Sequence, residues 1–178
     1  MIWTITTRDT TKSMKRLAIG LIALLGAACA DSPVLTQPSL STAVAPATIV
    51  SLEAEEGAGD GVVRARSRAS GGQTVHLGPG ERRSWTFKIP AAPTSYAVTV
   101  TYSNGQEGEN EELDFRLDGA LVGSFRNRDS GDAIEGWNQF VTDPAGRSTL
   151  GLGVHTLTID VRGGDGCVEI DKVTITPA

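Results

Sequence analysis

The sequence predicts an all-β protein, a single antiparallel β-sandwich lying behind an N-terminal export signal and a linker. Three observations predict it. Tyr96, Val98, Val100 and Tyr102 alternate with Ala97, Thr99 and Thr101, and Leu157, Ile159 and Val161 alternate with Thr156, Thr158, Asp160 and Arg162. A period of two gives a strand one apolar face for a core and one polar face for water. Turn signals recur at short intervals, at Ser70-Gly71-Gly72, Gly78-Pro79-Gly80, Asn104-Gly105, Asp118-Gly119 and Gly163-Gly164-Asp165-Gly166. No segment beyond residue 30 carries a helical period.

Residues 1–29 read as the export signal. Met14-Lys15-Arg16 is a short basic start, Leu17 to Leu25 an apolar run, and Gly26-Ala27-Ala28-Cys29 a small-residue cleavage region. Met14 is the expected start of the signal, because residues 1–13 add no targeting feature. The apolar run is short for a membrane span. Cys29 stands where a bacterial lipoprotein carries its lipid. Ala28 fits that pattern and Gly26 departs from it. Plain cleavage after Ala28 or Ala30 is the other reading. The chain is therefore expected to be exported, as an envelope lipoprotein or a secreted protein, and to touch a membrane only through such an anchor.

Residues 30–48 are rich in Pro, Ser, Thr and Ala without a period, which is the composition of a semi-extended spacer. The domain runs over 49–178. Its strands are expected at 49–56, 61–68, 73–77, 82–89, 96–102, 111–117, 120–126, 136–142 and 155–162, with a last strand near 167–175. Val168 and Ile170 share one parity in that strand, while Val173 and Ile175 share the other. A bulge near Asp171-Lys172 reconciles them.

The chain carries 16 basic and 21 acidic residues, and without residues 1–28 it keeps 12 against 20, a net charge of −8. Such a balance sets aside nucleic acid and anionic membrane as main partners. With Cys29 in the leader, Cys167 has no partner for an internal disulfide and is expected to be a small, half-buried residue near the sheet end. The two histidines are His76 and His155. His155 falls on an inward parity, as a packed rim residue would. No nucleophile elbow, zinc spacing or phosphate loop is present, so the sequence gives no ground for an enzyme.

Two groups of residues carry the functional expectation. Glu53 and Glu55 share a face if 49–56 is one strand, and neighbouring carboxylates repel unless a cation lies between them. Asp171 joins them if the first and last strands lie close, making an oxygen site suited to calcium. An exposed glutamate pair is the plainer alternative. Trp137, in Gly136-Trp137-Asn138, follows the polar stretch 127–135 and is expected at a loop end, where an indole can stack on a sugar ring. Asn138, Asn104, Arg128, Asp129 and Glu169 are candidate hydrogen-bonding partners; solvated loop polarity is their alternative. Trp85 alternates with Phe87 and is expected in the core. The acidic run 106–112 reads as a solvated loop, with a second calcium site as its alternative.

The ordered set Leu52-Glu53-Ala54-Glu55, Ser70-Gly71-Gly72 with Val75, Trp85-Thr86-Phe87, Tyr96 to Asn104, Gly153 to Leu157, and Ile170-Asp171-Lys172-Val173 resembles the family 6 and family 35 carbohydrate-binding modules across residues 49–176. The resemblance implies a β-jelly roll that binds a polysaccharide or oligosaccharide without cleaving it, in some settings beside a separate glycoside hydrolase. It implies a structural calcium on Glu53, Glu55 and Asp171. It places Trp137 at one of two sugar-clamping aromatic positions, His76 near the other, and Glu169 where an asparagine is usual. The competing expectation is a structural or protein-binding envelope lipoprotein on the same fold.

Overall fold

Strand alternation becomes two facing sheets in the computed structural model, which describes residues 48–90, 94–105, 110–164 and 166–178. All of these lie in one unit of the chain, 43–178. The export signal, Cys29, nearly all of the linker, and residues 106–109 of the acidic run lie outside the described residues.

The strands are β1 (Val50–Glu53), β2 (Ala58–Gly59), β3 (Val62–Ala65), β4 (Gln73–Leu77), β5 (Arg82–Ile89), β6 (Thr94–Ser103), β7 (Glu112–Leu117), β8 (Ala120–Arg126), β9 (Val141–Leu150), β10 (Gly153–Gly163) and β11 (Val168–Pro177). The first sheet has the order β3-β4-β11-β6-β9, with β1 also paired to β11. The second has the order β2-β5-β10-β7-β8. Every strand pairing is antiparallel. Tyr96, Val98, Val100 and Tyr102 share one core with Phe115, Leu157, Ile159 and Val161, and each is at most 1% exposed. Trp85 is 4% exposed within it, as its strand parity requires.

Three departures from the sequence expectation have local causes. Residues 49–56 are not one strand. The strand stops at Glu53, and a 3-10 turn, Ala54–Glu56, follows. Arg83 draws that turn inward, donating to the carbonyls of Ala54, Glu55, Gly59 and Asp60 at 3.1 to 3.3 Å. Residues 136–142 are not a strand either. One helical turn, α1 (Ala133–Gly136), precedes Trp137, and β9 begins only at Val141. That strand escapes recognition because Pro144 and Gly146 interrupt it. As an edge strand with a bulge at Ala145, it tolerates both. Finally, residues 66–68 leave the expected strand 61–68 and form the connection to β4.

The bulge in the last strand is present. The register of β11 against β6 shifts between Ile170 and Lys172, which leaves Asp171 as the extra residue. One edge of β11 is shared end to end by two strands: β4 pairs with Val168–Ile170, and β1 pairs with Lys172–Ile175. Asp171 lies at the junction between them.

Candidate functional site

The junction at Asp171 gathers three carboxylates. Glu53 pairs with Lys172 in register at the end of β1, so the first and last strands do lie side by side. Glu55 follows on the 3-10 turn. Ser70 comes over from a turn with Gly71 and Gly72, both of positive φ. Ser70 donates its amide to Asp171 Oδ1 at 2.7 Å and its hydroxyl to Glu53 Oε1 at 3.1 Å. Gly71, at φ +67°, lets the turn approach closely, since a Cβ there would stand 2.9 Å from Glu55 Oε1. Burial pushes the Asp171 carboxyl up to about 6, with Glu53 and Glu55 adding repulsion and the Ser70 amide and Lys172 opposing it. Oε2 of Glu53 and Oε2 of Glu55 are buried with no hydrogen-bond partner. Among the described residues no three His, Cys, Asp or Glu side chains form a ready-made metal cage. The all-oxygen donor set, two orphaned carboxylate oxygens and the charge imbalance fit a hard cation completed by non-carboxylate oxygens.

A second cluster lies on the outer face of the first sheet. Glu169 pairs with His76 in register and is fully buried. Arg66 forks onto it, with Nε 2.6 Å from Oε2 and Nη2 2.5 Å from Oε1, and Thr74 Oγ1 donates to Oε2 at 2.8 Å. Burial alone would raise the Glu169 pKa. The nearby His76 and the hydrogen bonds from Arg66 and Thr74 outweigh it and hold the carboxyl down at about 2. In distance, His76 Nδ1 stands 3.5 Å from Glu169 Oε1, without good hydrogen-bond alignment. Trp137 is half-buried, its ring centroid 5.8 Å from that of His76 at a tilt of 51°. Asn138 ties the two adjoining loops together. Its Nδ2 donates to Ser67 Oγ at 3.0 Å and its Oδ1 accepts the Arg68 amide at 3.2 Å.

The structure thus brings Trp137, Asn138 and Glu169 into one neighbourhood and sets the other candidates apart. Asn104 is 3% exposed, and its amide nitrogen is shared among Asn110, Glu111 and Asn127, so it pins loops together and is closed to a ligand. Glu169 is likewise closed to direct contact, with Arg66 forked over it. Arg128 is exposed but forks onto Asp143 at 3.1 Å. The Tyr102 hydroxyl also donates to Asp143, and burial, reinforced by that bond, pushes the phenol up to about 12. Asp129 is exposed with no hydrogen bond or ion pair to another described residue. The neighbourhood of Asn138 also holds Arg66, Ile134 and Glu135, which sequence reasoning did not single out. Arg66 had a signal, since Arg64, Arg66 and Arg68 alternate, but nothing local showed that its partner lies 103 residues away.

No protein-family model matches the chain, and no curated protein sequence matches it. Solved structures do. A family 35 carbohydrate-binding module from Clostridium thermocellum superposes with a TM-score of 0.62 at 20% identity, over 74% of this chain and 99% of that one. A family 6 module from a Cellvibrio mixtus lichenase 5A, solved with cellotriose, gives 0.59 at 19% identity, over 72% and 97%. An exo-β-1,3-galactanase from Phanerochaete chrysosporium, solved with β-1,3-galactotriose, gives 0.59 at 23% identity over 72% of this chain, which spans only 29% of the galactanase. The fold is that of the family 6 and family 35 carbohydrate-binding modules, a two-sheet jelly roll.

Proposed function

We propose that this chain is a non-catalytic carbohydrate-binding module, exported from a bacterial cell and retained at its envelope or released. The observation that carries this reading is the extent of the likeness. Two solved chains that consist of such a module alone are matched over 97% or more of their length, whereas the galactanase is matched over a module-sized fraction. The glycan would meet the loop end that holds Trp137 and Asn138, and a separate glycoside hydrolase is the natural partner of such a module. Shallow, hydrated sites of this type bind modestly, because few anchors are desolvated.

The same reading includes a structural calcium on Glu53, Glu55 and Asp171, supported by the two orphaned oxygens and the repulsion at Asp171. The ion would supply positive charge that those carboxylates lack. The chain's own part is to hold β1, the Ser70–Gly72 turn and β11 in one place, through Ser70 and through Arg83 behind the 3-10 turn.

The test is a glycan array probed with the protein in calcium, covering plant cell-wall and uronic-acid polysaccharides. A reproducible hit that Trp137→Ala removes, with folding retained, is expected. A blank from the folded protein would overturn the binding reading in favour of a structural or protein-binding role.

A further inference from the structure

The described surface offers more than one depression, and they differ in chemistry. The cleft of about 420 Å³ on the outside of the second sheet is lined by Arg82, Arg116, Arg162, Asp114 and Asp160. Those charges are tied up in ion pairs of 2.9 to 3.3 Å, and Arg162 reaches Glu112 as well. The groove of about 320 Å³ beside Gly123 and Gly146 is the seam where two edge strands meet. Neither combines an exposed apolar side chain with unspent polar groups. The groove on the first sheet does. It measures about 650 Å³ and runs between the β3–β4 connection and the segment of α1, lined by Ala65, Arg66, Ser67, Ile134, Glu135 and Asn138.

We infer that this groove is the surface that grips a glycan, with Ile134 against a sugar C–H face and Arg66, Glu135 and Asn138 as its hydrogen-bonding partners. The inference rests on the carbohydrate-binding reading and assigns its contact residues. The volume falls within the roughly 300–1,000 Å³ of small-ligand sites. Ile134, on a one-turn helix, is 83% exposed, the most open of the large apolar side chains among the described residues, and it stands at the rim of this groove. Arg66 is a fixed donor: Nε and Nη2 are spent on Glu169, and Nη1 has no acceptor among the described residues. A donor fixed before binding loses little rotamer entropy when a hydroxyl arrives. Asn138 uses one donor and one acceptor on the loops and keeps a second of each. Glu135 is exposed on the other wall and supplies an acceptor without a competing ion pair among the described residues. Glu169 is in this scheme a positioning residue, acting only through Arg66. The Trp137 ring lies against His76 and underpins the α1 wall.

The experiment measures dissociation constants by calorimetry for the tightest oligosaccharide from an array that includes cellotriose and β-1,3-galactotriose. Ile134→Ser and Glu135→Gln alter exposed side chains and are expected to fold as the wild type does. Each should weaken binding about five- to tenfold, a change of about 1–1.4 kcal/mol. Arg66→Lys keeps a charge over Glu169 but loses the fork, and should weaken binding more than tenfold. Lys88→Ala, on the second sheet, should change nothing. Wild-type binding that both Ile134→Ser and Glu135→Gln leave untouched would overturn the groove and leave carbohydrate binding standing. A wild-type blank on every sugar would overturn both.

Discussion

His155 shows what a single side chain contributes at the end of the sandwich away from the groove. Its Nδ1 lies 2.7 Å from Asp118 Oδ2 and its Nε2 lies 2.9 Å from the Gly151 carbonyl. Both partners accept, so both ring nitrogens can donate only as the imidazolium. The bond to Asp118, then the one to Gly151, raises the His155 pKa against the opposing effect of burial. Burial of Asp118 works upward, but His155 and the Thr156 amide outweigh it and hold that carboxyl below the usual range. A raised folded pKa stabilises fully below the unfolded value, about 6.5 for histidine, and that stability is lost as pH rises through the folded value. Wild type should therefore melt above His155→Gln in mild acid, and the gap should close on the alkaline side. For a solvent-screened pair the gap corresponds to about 0.2–1 kcal/mol. Melting temperatures of both proteins across pH 5.5 to roughly 9 check this; a gap that does not vary with pH would refute the imidazolium.

At the scale of elements, the closure of the sandwich depends on two bulges that face each other. In β8 the extra residue is Val122, and in β9 it is Ala145. Each presses a carbonyl against a glycine of the other strand. A Cβ on Gly123 would stand 1.9 Å from the Ala145 oxygen, and one on Gly146 would stand 2.5 Å from the Val122 oxygen. Backbone cannot yield as a flexible side chain can, so Gly123→Ala should part the edges of the two sheets. The expected cost is about 3 kcal/mol, at the upper end for overpacking, read as the loss of unfolding free energy in urea. Gly119→Ala is the contrast. It carries the backbone strain of φ +82°, which Gly123 lacks, but meets nothing within 4 Å of the added carbon, and it should cost about 1 kcal/mol. Equal losses would mean that the close approach of Gly123 to Ala145 costs no more than an added carbon in an open, strained turn. Local reading of the chain could not find this seam. The central strands announce themselves by alternation, as Tyr96 to Tyr102 do. β9 has only Ala145 and Leu150 buried, so its identity comes from its neighbours.

The whole molecule brings distant residues to two places, and that governs how far the sequence was readable. Parity alone located the core, the Trp85 environment and the bulge at Asp171. The pairing of first strand with last follows from closure of the sandwich, and it set Glu53 beside Lys172. What stayed hidden depends on chain reversals: the loop that carries Arg66 onto Glu169, the helical turn that exposes Ile134, and the burial that closes Asn104 to a ligand. The carboxylate junction is where these levels meet, since there the Ser70–Gly72 turn is tied to the paired strands β1 and β11. If calcium holds them, it binds the folded chain alone and stabilises it by mass action. At a hundred times its dissociation constant the ion adds about 2.7 kcal/mol, which for a domain of this size raises the melting temperature by roughly 10 °C. Excess chelator at neutral pH should remove that increment, and added calcium should restore it. Glu55→Gln takes away one orphaned carboxylate and part of the repulsion at Asp171. Its melting temperature should accordingly respond to chelator far less than the wild type's does. An identical wild-type curve with and without chelator would mean that Lys172 and the Ser70 bonds suffice to hold the junction, with no ion required.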